Sequence, residues 1–69
     1  MERVPVTSSM MRAVGYDSNS QTLEIEFNSG SVYNYLGVPQ DEHDAMMNSD
    51  SQGKYFNANI RGRYPEVKL

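Results

Sequence analysis

Thr22-Leu23-Glu24-Ile25-Glu26-Phe27, followed by Asn28-Ser29-Gly30 and Ser31-Val32-Tyr33-Asn34-Tyr35-Leu36, is the stretch that decides the fold. Its first part alternates apolar and acidic side chains at period two, the pattern of a strand buried on one face and wet on the other. Leu23, Ile25 and Phe27 therefore face a core, and Glu24 and Glu26 face solvent. The connection decides where the tyrosines go, because a slip of one residue sends every side chain to the opposite face. A two-residue Ser29-Gly30 turn sets Tyr33 opposite Glu26 and Tyr35 opposite Glu24. A three-residue loop with Gly30 in the left-handed region sets Tyr33 opposite Ile25 and Tyr35 opposite Leu23. Glycine at the third loop position suits the second geometry, and a small core needs large rings whose hydroxyls reach its rim. The bulged turn is the expected one.

Working outward, Met10–Asp17 reads as a preceding strand, with Val14 and Tyr16 on one face and Arg12 on the same side nearer its start. Asp17-Ser18-Asn19-Ser20 is a turn whose side chains bond back to the backbone. Residues 1–7 form an extended lead-in, with Pro5 excluding helix. Downstream, Pro39 suits the first position of a helix, and Asp41 and Glu42 favour the positive end of its dipole. His43, Met46 and Met47 share one face of it. Asn48-Ser49-Asp50 interrupts, and Ser49 with Gln52 has capping-box spacing, with Ser51 as the alternative cap. A second helix then runs to about Arg61, stopping near Gly62, with Pro65 preventing continuation and 65–69 left as a tail. Phe56, Ile60 and Tyr64 form its apolar stripe, and Lys54, Asn57 and Arg61 project from roughly the opposite face. The expected fold class is α+β: one domain over residues 1–69, a three-stranded antiparallel β-meander followed by two short α-helices packed on one face. Leu23, Ile25, Phe27, Tyr33, Tyr35, Phe56 and Ile60 are its expected buried residues.

Composition agrees with a lean folded domain. The chain has 69 residues and is 38% hydrophobic, with a net charge of -3, five Tyr and two Phe. Disordered chains combine low hydrophobicity with high net charge and few aromatics. Cysteine is absent, which removes disulfides, thiol catalysis and Cys-based zinc sites. A mass of 7.8 kDa corresponds to a folded surface of about 4,400 Å², too small a body for a deep catalytic cleft. No apolar run is long enough for a membrane span or a signal-peptide core. A cytoplasmic location and a monomer are the expectations. The charge is polarised along the chain: residues 1–50 carry -6 and residues 51–69 carry +3. Such polarity concerns partners.

Few residues carry chemistry. His43 lies among Asp41, Glu42 and Asp44, but neighbours on a helix point in different directions and do not converge on one ion. It reads as a histidine at the core edge beside Met46 and Met47. Glu24 and Glu26 have a spacing of about 7 Å, within the range of glycosidase carboxylates, yet alternating Glu on a half-solvated sheet is the plainer reading. No glycine-framed nucleophile or phosphate loop is present. A non-enzymatic protein is expected, with no cofactor, no metal and no small-molecule substrate. Lys54, Asn57, Arg61 and Arg63 are suited to phosphate or to an acidic protein surface, and Tyr55, off the apolar stripe, to stacking an unpaired base. Tyr33 and Tyr35 read as core, with base stacking as their functional alternative.

Several fragments then line up. Ser8-Ser9 precedes a strand ending Val14-Gly15-Tyr16-Asp17. Thr22-Leu23, Phe27, Gly30, Tyr33-x-Tyr35 and Val38-Pro39 follow, and Ser51-x-Gly53-x-Tyr55-Phe56-Asn57-x-x-Ile60-Arg61-x-x-Tyr64 closes the set. Together they resemble the KTSC domain family, named for a C-terminal extension of lysyl-tRNA synthetases, over about residues 7–65. The resemblance implies a small bacterial or phage protein of a family without an established activity, for which RNA binding has been suggested. On that reading Tyr33, Tyr35, Ser51, Gly53, Phe56 and Ile60 are structural motif residues. Lys54, Tyr55, Asn57, Arg61 and Arg63 are the candidate contacts to RNA, transfer RNA in particular. The alternative is a protein-interaction module using the helical face or an exposed sheet edge. The chain departs from the family pattern at Glu42 and His43, at Met46 and Met47, and in a less basic tail. A sequence pI of about 4.8 also weighs against a general affinity for nucleic acid.

Overall fold

The computed structural model describes residues 2–69. Its elements are β1 (Arg3–Pro5), β2 (Met11–Asp17), β3 (Thr22–Phe27), β4 (Val32–Leu36), α1 (Gln40–Met47), α2 (Gln52–Asn59) and β5 (Glu66–Lys68). All strands join one antiparallel sheet in the order β1-β2-β3-β4-β5. The expected three-stranded meander is thus the middle of a five-stranded sheet. The added strands fall on the segments read as lead-in and tail. Each is only three residues long, too short for an alternating pattern. They are strands because β2 and β4 carry unpaired N–H and C=O groups along their outer edges, which an extended segment can satisfy.

The central register is the predicted one, with Tyr33 opposite Ile25 and Tyr35 opposite Leu23. Gly30 N donates to Phe27 O and Phe27 N to Ser31 O, each at 2.9 Å. Gly30 has φ +97°, so the turn closes through a left-handed glycine bulge. β2 contains a second bulge, because Met11 pairs with Phe27 while Ala13 pairs with Glu26. The extra residue is Arg12. Alternation inverts there: Met11 turns inward and is fully buried, and Arg12 reaches out to Glu26 instead of sharing a face with Val14 and Tyr16.

The helices cover one face of the sheet. Met46, Phe56 and Ile60 meet Met11, Val14, Leu23, Ile25, Tyr35 and Val38 in a single core. Phe27 and Tyr33, expected inside, are half-buried at its margin, where the hairpin end of the sheet opens onto a groove. Pro39 is the cap before α1 rather than its first residue. α2 is capped by Ser51, whose Oγ accepts from Lys54 N at 3.2 Å. Ser49 is drawn instead into bonds with the backbone of Ser51. The helix ends at Asn59, short of Arg61: the N–H groups of Ile60 and Arg61 both donate to Phe56 O, and Gly62 at φ +81° redirects the chain.

α2 sits close against the approach to β2. A Cβ on Gly53 would lie 3.1 Å from Met10 Sδ and 3.2 Å from Ser8 Oγ. Ser8 Oγ itself accepts from the N–H groups of Met10 and Met11, so this knuckle has little room to yield. Phe56→Ala should cost about 3–5 kcal/mol, most of the stability of a domain this small. Phe27→Ala should cost clearly less, because that ring stands at the core margin and is only partly buried. Urea denaturation of the two variants checks the order, and equal losses would put Phe27 inside the core.

Candidate functional site

At the hairpin end of the inner sheet face lies an open groove of about 610 Å³. Phe27 and Tyr33 supply its aromatic surface with the buried Tyr35 behind them, Met10 one side, Ser29 and Ser31 a polar rim, and Arg61 and Glu66 its charges. The rings form one connected cluster. Phe27 meets Tyr33 edge-on at 5.8 Å, and Tyr33 stacks on Tyr35 at 6.4 Å. Phe56 stands beneath, edge-on to Phe27 at 5.7 Å and to Tyr35 at 5.1 Å. The exposed Arg61 guanidinium lies 5.2 Å above the Phe56 centroid, a cation–π position that holds its charge at the groove. Burial pushes the Tyr35 phenol up to about 12; the Glu66 charge adds to the shift and Arg61 opposes it.

The expected contact residues divide. Lys54 and Arg61 do not share a helical face, since α2 stops before Arg61; only Arg61 reaches the groove. Lys54 is exposed on the first turn of α2. Asn57 Nδ2 donates to the sulfur of Met10 at 3.6 Å, which places it beside the groove wall. Tyr55 is committed elsewhere: its ring packs on the core and its hydroxyl donates to Glu42 Oε2. Tyr64 donates to the other oxygen of Glu42 at 3.3 Å. The hydrogen bond to Glu42 raises the Tyr55 phenol, burial raises Tyr64, and the nearby Arg63 charge opposes both shifts. Arg63 therefore stands by this clamp and outside the residues lining the groove. Glu42 was not legible as a clamp, because its partners are 13 and 22 residues away.

The other candidates resolve into structure. His43 is half-buried and stacks on Tyr16 at 4.6 Å, with Nδ1 3.0 Å from Asp44 Oδ1. Glu24 and Glu26 do not face open solvent as expected. Arg3 Nε lies 2.9 Å from Glu24, and Arg3 and Arg12 each approach Glu26 at 3.2 Å. The β1 strand brings Arg3 over Glu24, which is only 9% exposed. Both carboxylates are thus taken up in ion pairs on the outer face of the sheet. Among the described residues, Lys54, Arg61, Arg63 and Lys68 have no carboxylate partner within ion-pair distance.

The KTSC domain model matches residues 7–64. An uncharacterized protein of Stutzerimonas stutzeri is 46% identical over 57 residues, covering 83% of this chain and 80% of that one. A lysine–tRNA ligase of Nostoc punctiforme is 41% identical over 61 residues, covering 88% of this chain but only 11% of the ligase. The crystal structure of a KTSC domain protein from Yersinia pestis superposes with a TM-score of 0.96 at 38% identity, over 99% of this chain and 96% of the other. Among the described residues, no helix is long and apolar enough to cross a membrane.

Tyr35 gives the site a pH signature. Its folded value, about 12, exceeds the roughly 10 of an unfolded tyrosine. Below pH 10 both states keep the proton. Between about 10 and 12 the unfolded chain releases it while the folded chain retains it, so stability falls as pH rises, by at most about 1.4 kcal/mol per pH unit. Tyrosinate absorbance should show that Tyr35→Phe removes a titration step near pH 12; loss of a step near pH 10 would mean that the phenol is solvated.

Proposed function

The chain belongs to the KTSC domain family, and from that premise we propose that it is a non-enzymatic accessory module that binds RNA, transfer RNA first among candidates, in its aromatic groove. The observation that carries this reading is the placement of Arg61 over Phe56, beside the open rings of Tyr33 and Phe27. An unpaired base needs a π-face to stack on, and its phosphate needs a cation a few ångströms away. The groove offers both. Lys54 and Asn57 extend the contact along α2, and Arg63 adds only a more distant field. Relatives named lysine–tRNA ligases carry a region similar to this domain as a small part of a longer chain, a context in which a weak RNA contact adds to others.

The net charge of -3 sets the form of the binding. A protein without a broad positive field holds RNA through few phosphates, hence weakly and with marked salt sensitivity. Each neutralised phosphate on a single strand contributes about 0.7 to the slope of log affinity against log salt. Labelled transfer RNA, titrated at two salt concentrations, tests the reading. The native protein should bind with a slope of about one to two. Lys54→Glu/Arg61→Glu should bind at least tenfold more weakly, as should Tyr33→Ala, whereas Tyr55→Phe should bind like the native protein. Circular dichroism confirms that each variant is folded. Identical binding by native protein and double variant, or no binding at low salt, overturns the RNA reading in favour of a protein-interaction module.

A further inference from the structure

The last strand carries a charge pattern that is its own complement. β5 reads Glu66-Val67-Lys68 and forms one edge of the sheet. Leu36 N donates to Pro65 O at 2.9 Å and Leu69 N donates to Val32 O at 2.8 Å. Antiparallel pairs alternate between hydrogen-bonded and non-hydrogen-bonded positions. With Asn34 opposite Val67, the backbone of Val67 therefore faces β4, and the N–H and C=O groups of Glu66 and Lys68 point outward, unpaired. A second β5 laid antiparallel and centred on Val67 sets Glu66 against Lys68 of the other copy, and Lys68 against Glu66. Both are hydrogen-bonded positions, each exchanging two N–H···O bonds. Backbone and side-chain registers therefore coincide. Opposite charges directly across such a pair stabilise it.

We propose that β5 is a self-association edge, through which two copies of this chain join their sheets about a two-fold axis at Val67. The outer sheet face adds an apolar contact. Val67 is 46% exposed and Leu69 64% exposed, with no helix above them. Pairing brings Val67 against Val67, at the closer, non-hydrogen-bonded separation, and Leu69 against Pro65 of the second copy. The opposite edge does not compete. Val6 N donates to Arg12 O at 3.1 Å, so the same alternation points the backbone of Arg3 and Pro5 outward, and Pro5 has no N–H to offer. Pairing of β5 with β1 would run head to tail without closing, whereas β5 with β5 closes as a dimer. The assembly also sets Lys68 of the second copy beside Glu66, the acid that borders the groove.

The test requires no RNA and so stands apart from the RNA reading. Sedimentation equilibrium of the native protein from micromolar to millimolar concentration should show a monomer–dimer equilibrium. Glu66→Lys alone and Lys68→Glu alone each set like charges opposite one another and should weaken the dimer at least tenfold. An equal mixture of those two variants should recover it as a heterodimer, and the Glu66→Lys/Lys68→Glu double variant should recover the homodimer. A native protein that stays monomeric at millimolar concentration overturns the proposal. So do single variants that dimerise like the native chain, or a mixture that stays monomeric.

Discussion

The Phe56 ring is the point at which the sheet, the second helix and the groove meet. Its edge-to-face contacts with Tyr35 and Phe27 tie α2 to the central strands, and the guanidinium of Arg61 rests above it. Aromatic pairs of this geometry contribute about 0.5–1.5 kcal/mol beyond their buried area. In a chain without cysteine, no disulfide shares that load. Core and candidate site thus share a residue, so a change that loosens α2 also disperses the charge at the groove.

The sheet separates its charges in a way the total conceals. The acidic residues of β3 are held by Arg3 and Arg12 on the outer face, and Glu42 is occupied by two tyrosine hydroxyls between the helices. Among the described residues, the Lys and Arg side chains without carboxylate partners all come from residues 51–69. Potential at a surface follows the local arrangement of charges more than the sum. An acidic chain can therefore present a cationic spot, at the cost of range and of tolerance to salt.

What could be read from the residues was local. Leu23, Ile25, Tyr35, Phe56 and Ile60 are core as their periodicity indicates, and Gly30 settles the hairpin register because only one loop length suits a left-handed third residue. What could not be read was relational. β1 and β5 are strands only because β2 and β4 have open edges. The bulge at Arg12 depends on a partner strand and reverses the alternation that β2 shows on its own. Ser51 caps α2 although Ser49 has the better local spacing. Among the candidate contacts, Arg61 reaches the groove because its helix ends early, and Tyr55 leaves it for a carboxylate far away in the chain.

The strand order places the two ends of the domain on opposite borders of the sheet, β1 on one and β5 on the other. Four strand spacings of about 4.8 Å separate them by roughly 19 Å. Insertion into a loop of a host protein would require that loop to be prised open by the same distance. Attachment at one terminus requires no such opening. The architecture therefore favours a domain that is appended rather than inserted, and a linker entering at β1 leaves the opposite border of the sheet unobstructed.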